Sequence, residues 1–122
     1  MRLLLIAIAG AGGAVSRYLI SVWIKESIDS TFPFATFSVN LLGAFLLAFF
    51  LQSSTLDEEL KIMITTGFMG AFTTYSTFSY EIFNLFKSGE TFYGIVYIFS
   101  TIFLALIGTI IGFYLGKLIF VQ

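Results

Sequence analysis

Four long apolar runs, separated by short polar and charged stretches, dominate the chain. A helix rises ~1.5 Å per residue and the hydrocarbon core of a bilayer is ~30 Å thick, so about 20 mostly apolar residues are enough to cross it. The pattern predicts spans at about 3–24, 32–51, 62–86 and 91–116, forming a single membrane domain over residues 1–122. The connections are KESIDST, QSSTLDEELK and KSGE with a few flanking residues. Barrel strands would be shorter and would alternate polar with apolar positions, which these runs do not. The predicted fold class is therefore an all-α integral membrane protein with four transmembrane helices. The opening MRLLLIAIAGAGGAVSRYLI has the charge and apolar run of a signal peptide, but apolar character resumes beyond Arg17, so it is expected to be the first span.

Composition narrows the function. The 122 residues are 58% hydrophobic and 11% charged, against the roughly 25% charged residues of a soluble domain. Net charge is −1 with no basic face, so no nucleic acid partner is expected. With no cysteine and no histidine, thiol chemistry, most transition-metal sites and histidine acid–base catalysis are excluded, and an enzyme is not expected.

An even number of spans puts both termini on one side of the membrane. That side carries Arg2, Lys61 and Lys117, the other Lys25 and Lys87, with Arg17 set aside inside its span. A balance this close allows insertion both ways, and hence an antiparallel pair of identical chains; equally, the single extra charge is enough to fix one orientation. Gly108, Gly112 and Gly116 recur every four residues along one face of span four, where small residues let helix backbones approach within a chain or between chains.

Polar residues within the spans carry the candidate chemistry, because each must find a partner or face water. Arg17 lies about seven residues before the end of its span, either snorkelling to water or holding a fixed positive charge in a vestibule. GAGG at Gly10–Gly13 lacks the spacing and the preceding strand of a nucleotide loop and is expected to serve close helix packing. In span two, Thr36 and Asn40 are one turn apart on one face, either as interhelical hydrogen-bonding groups or as neutral donors to an anion.

Span three is the most unusual. Within GFMGAFTTYSTFSYE, Thr73, Thr74, Ser76, Thr77 and Ser79 place five hydroxyls in seven residues, close to Gly67 and Gly70. The cluster predicts a broken third helix whose freed carbonyls are satisfied by side chains or by an ion. Tyr75 and Phe78 are three apart and share a face; ring edges carry partial positive charge, so they suit an anion, although ordinary packing aromatics are the simpler reading in a chain with 16 phenylalanines.

The segments GAGGAVSRY, FSVNLLGAF and above all GFMGAFTTYSTFSYE together resemble the small fluoride channels of the Fluc or CrcB type, and the likeness covers nearly the whole chain. The resemblance implies a dual-topology antiparallel homodimer in a prokaryotic cell (inner or plasma) membrane, with two fluoride pores and a structural sodium ion at the dimer interface. It implies that Asn40 is the pore asparagine and that Tyr75 and Phe78 fill the aromatic-box positions, the first of which is usually phenylalanine. Ser76 and Thr77 then fall in a hydroxyl track continued by Tyr97 and Thr101 on span four, where Ala105 interrupts it; Thr36 joins the pore on the face of Asn40. Arg17 matches a vestibule charge, and Gly70 and Thr73 match the backbone carbonyls that hold sodium. Glu81 matches an acidic position to which no pore role is assigned. Passive export of cytoplasmic fluoride is the implied function.

Competing classes fit less well. A proton-coupled multidrug exporter requires an acid deep in span one, where this chain has Arg17. A non-transporting assembly subunit leaves the hydroxyl run without purpose, and an intramembrane enzyme lacks a nucleophile–base pair.

Overall fold

The computed structural model describes residues 1–121, and among them the regular structure is entirely helical. Three helices are long and apolar enough to cross a membrane: α1 (Arg2–Ser27), α2 (Phe34–Leu51) and, last in the chain, Thr91–Phe120. The third apolar run is not one helix. It begins as α3 (Glu58–Ile62), widens into a π-helical segment (Met63–Met69), continues as α4 (Gly70–Phe72), breaks, and resumes as α5 (Tyr75–Lys87); Thr91–Phe120 is then α6. The chain is a multi-pass, all-helical membrane protein.

Local chemistry accounts for the ends of these elements. Asp57 caps α3 by accepting the Leu60 amide at 2.8 Å, and Glu58, Glu59 and Lys61 place acid in the first turn and base in the last, matching the helix dipole. At the far end of α5, Gly89 takes φ +83, and the amides of Gly89 and Glu90 bond the carbonyls of Phe86 and Leu85 at 3.1 and 2.9 Å. That is the left-handed cap glycine favours, and it turns the chain directly into α6.

Glycines set the packing. Gly112 lies against the carbonyl of Phe45 and Gly116 against that of Phe49, so the stripe on α6 packs on α2 of the same chain. Gly13 lies against the Phe68 carbonyl, and a side chain on Gly67 would meet Ala9 at 2.9 Å and the Ile6 carbonyl at 3.0 Å. The GAGG segment therefore seats the π-helical segment on α1. Without a hydrophobic drive between helices in lipid, such close approaches are what hold the bundle together. The core cluster is small, made of Phe78, Leu85 and Tyr97, and Val39 and Phe72 are buried too, while Leu19, Trp23, Phe99 and Phe103 are exposed, as expected where the surroundings are apolar.

Candidate functional site

The break in the third segment is two extended residues, Thr73 at φ −81, ψ 157 and Thr74 at φ −147, ψ 116. Both are β-branched and suit extended backbone better than a helix interior. Thr74 also starts the next helix: its hydroxyl oxygen accepts the Thr77 amide at 3.2 Å while its hydroxyl donates to Thr77 Oγ1 at 3.0 Å. Asn40, near the middle of α2, completes the break from outside. Its Oδ1 accepts the Thr74 amide at 2.8 Å and its Nδ2 donates to the Thr74 carbonyl at 3.0 Å. An amide has two donors and two acceptor lone pairs, so one N–H remains beyond this pair.

Beside the break runs a groove of about 560 Å³ lined by Asn40, Tyr75, Phe78, Ser79, Thr101 and Ala105 among others. Phe78 is buried and meets Tyr97 edge to face, with centroids 4.9 Å apart at 69°. Tyr75 is 80% exposed, its ring 6.1 Å from that of Phe78. Thr101 is only 5% exposed, and among the described residues its hydroxyl has no hydrogen-bond partner. A buried hydroxyl of this kind is costly unless something else accepts or donates, so Thr101 leaves an unpaired polar atom just beneath the groove wall.

The remaining predicted pore residues lie elsewhere. Thr36 and Thr77 line a separate cavity of about 310 Å³ together with Arg17, Ser21 and Lys25 of α1. Ser76 is exposed and sits 3.4 Å from the Thr74 hydroxyl. Tyr97 is fully buried and reaches neither space with its hydroxyl. Within one chain the predicted hydroxyl track is thus divided between two faces of α5. The division follows from helical geometry: Tyr75, Phe78, Ser79 and Ile82 share one face, while Thr77 and Glu81, four apart, share another.

Glu81, left without a role on sequence grounds, is a junction in the structure. Its Oε1 accepts the Thr36 hydroxyl at 2.9 Å and its Oε2 accepts the Tyr97 hydroxyl at 2.8 Å, tying α2, α5 and α6 together. The signal that would have found it is general: an acid within an apolar segment must acquire donors, and hydroxyls at Thr36 and Tyr97 were the candidates.

Gly70 and Thr73 fit an oxygen-only cation site in one respect. In a continuous helix their carbonyls would accept the amides of Thr74 and Thr77. Those amides are instead bound by Asn40 and by the Thr74 hydroxyl, and both carbonyls lose their helical donors. Gly70 is exposed, and a side chain there would meet the Thr65 carbonyl at an ordinary contact distance of 3.9 Å. Among the described residues no group of three His, Cys, Asp or Glu side chains gathers for a metal. Two carbonyls per chain fall short of a hard cation's usual coordination number, so further oxygen ligands would have to complete the set.

The sequence profile of the family described as "CrcB-like protein, Camphor Resistance (CrcB)" matches residues 4–113. Among similar proteins, the "Fluoride-specific ion channel FluC" of Dehalococcoides mccartyi is 45% identical over 121 residues, covering 96% of this chain and 93% of that one. "Fluoride-specific ion channel FluC 2" of Clostridium acetobutylicum is 42% identical, with 94% of each covered, and the protein named "Fluoride-specific ion channel FluC" in Geotalea uraniireducens is 39% identical, with 93% and 95% covered. The profile match and these full-length likenesses show that the chain belongs to the CrcB-like family.

Proposed function

We propose that this protein is a fluoride-selective channel that lets cytoplasmic fluoride leave passively down its electrochemical gradient. The observation that carries the reading is the broken helix pinned by Asn40 with Phe78 and Tyr75 at its edge, in a chain 39–45% identical to proteins named fluoride-specific ion channels. Fluoride is small and strongly hydrated, and leaving water requires replacement donors. The remaining Asn40 N–H, the Thr101 hydroxyl and the positive edges of Phe78 and Tyr75 supply weak, neutral contacts from which an anion can also depart. Thr36 and Thr77 serve the approach on the Arg17 side, with Arg17 as the vestibule charge, and Ser76 joins the track through the Thr74 hydroxyl. Tyr97, whose hydroxyl donates a hydrogen bond to Glu81, backs Phe78 and sets the angle of its ring.

The functional unit is an antiparallel dual-topology homodimer in the prokaryotic cell membrane. Two features support it: the near-even distribution of flanking lysine and arginine, and a groove that leaves Tyr75 80% exposed on a single chain. Sodium at the Gly70 and Thr73 carbonyls of both copies would tie the two breaks together as a structural ion.

Reconstitution of the purified protein in liposomes, with fluoride efflux followed by an ion-selective electrode, tests the reading. Efflux well above that of protein-free liposomes, with chloride largely retained, is expected. No fluoride efflux at verified protein incorporation overturns it.

A further inference from the structure

We infer that Lys25 is a threshold charge that passes anions from an outer mouth to the Arg17 cavity, a role that rests on the channel reading above. A cavity of about 590 Å³ opens at the end of the bundle where α1 and α5 finish, and Lys25 and Lys87 are among its lining residues. The cavity of about 310 Å³ lies next to it along α1 and contains Arg17, Ser21, Thr36 and Thr77. Among the described residues, Lys25 is the one common to both linings. Arg17, Ser21 and Lys25 are spaced four apart on α1, so they form one ladder about 12 Å long by helical rise.

The acids nearby do not cancel this ladder. Glu26 and Asp29, the neighbours of Lys25 in sequence, line neither cavity. Glu81 lines the mouth together with Lys25 and Lys87, so two positive side chains face one negative there, and its oxygens are turned to the hydroxyls of Thr36 and Tyr97. The smaller cavity has Arg17 and Lys25 and no acidic side chain in its lining. A cavity lined by one sign of charge, as the smaller one is, concentrates counter-ions, here anions, before any selective contact is made. Lys25 therefore governs how fast anions arrive, leaving the choice among them to the groove at Phe78.

The test is the initial fluoride efflux rate from neutral phospholipid vesicles at several ionic strengths, for wild type, K25Q, K25E and K25R, with K61Q as a lysine outside both cavities. At ~10 mM ionic strength, where the screening length is ~30 Å, K25Q should be about two- to fourfold slower than wild type and K25E slower still. At ~0.5 M the variants should converge to within about 1.5-fold, with K25R and K61Q close to wild type throughout and the preference for fluoride over chloride unchanged in all. A K25Q deficit that is absent, or equal at every ionic strength, overturns the inference while leaving the channel reading intact, as does an equal effect of K61Q. A wild-type protein without fluoride flux overturns both.

Discussion

The side-chain amide of Asn40 takes both backbone hydrogen bonds of Thr74, at 2.8 Å to its amide and 3.0 Å to its carbonyl. A residue of α2 thereby acts as a one-residue strand partner for an extended residue in another segment. In lipid, where water cannot satisfy freed backbone groups, this is what makes a mid-membrane break tolerable. The same pairing frees the Gly70 carbonyl and presents Tyr75 and Phe78 at the start of a new helix.

Asn40→Ala should lower the stability of the detergent-solubilised protein by about 2–4 kcal/mol, since two hydrogen bonds are lost and the Thr74 groups are left unpaired. Asn40→Asp keeps an acceptor for the Thr74 amide but turns a second oxygen toward the Thr74 carbonyl, and should fare no better. Thermal unfolding measures both; an Asn40→Ala protein that melts like wild type would mean that the break holds itself open.

Phe78→Ile should reduce fluoride flux at least about tenfold with a stability loss of roughly 1–2 kcal/mol, because the edge-to-face contact with Tyr97 goes but most of the apolar volume stays. Liposome efflux alongside unfolding separates the two effects. Unchanged flux would reduce the ring to a packing element.

Glu81→Ala should cost about 2–3 kcal/mol, because the fully buried Tyr97 loses the carboxylate that accepts its hydroxyl. Glu81→Gln keeps one carbonyl oxygen and offers an amide to the other hydroxyl, which rotates to accept it, so the cost should fall below about 1 kcal/mol. Tyr97→Phe should add little on top of Glu81→Ala. Additive losses in that double-mutant cycle would show that the two side chains act separately.

The glycine stripe predicts a contrast within one helix. Gly112→Ala drives a methyl group into the Phe45 carbonyl, backbone against backbone, so α2 and α6 must separate and the yield of folded protein should collapse. Gly108→Ala places its methyl 3.6 Å from the Leu41 carbonyl, an ordinary contact, and should express and melt like wild type. Size-exclusion profiles in detergent decide it; equal behaviour would count against direct α2–α6 backbone packing.

The membrane location was legible along the chain because crossing a bilayer requires a long unbroken apolar run, a property each segment carries by itself. The break was legible for a similar reason: five hydroxyls and two β-branched residues at its centre are local features that weaken a helix where they stand. The spacing of Gly108, Gly112 and Gly116 predicted a packing face but could not name its partner, since periodicity describes one helix at a time. Only the folded bundle shows that face against Phe45 and Phe49. It alone joins Glu81 to Thr36, 45 positions away, and sets Thr77 on one cavity and Thr73 and Ser79 on another. Hydropathy and local breaking are properties of a segment, whereas hydrogen-bond partners and the walls of a cavity depend on how separate helices cross, which no single segment encodes.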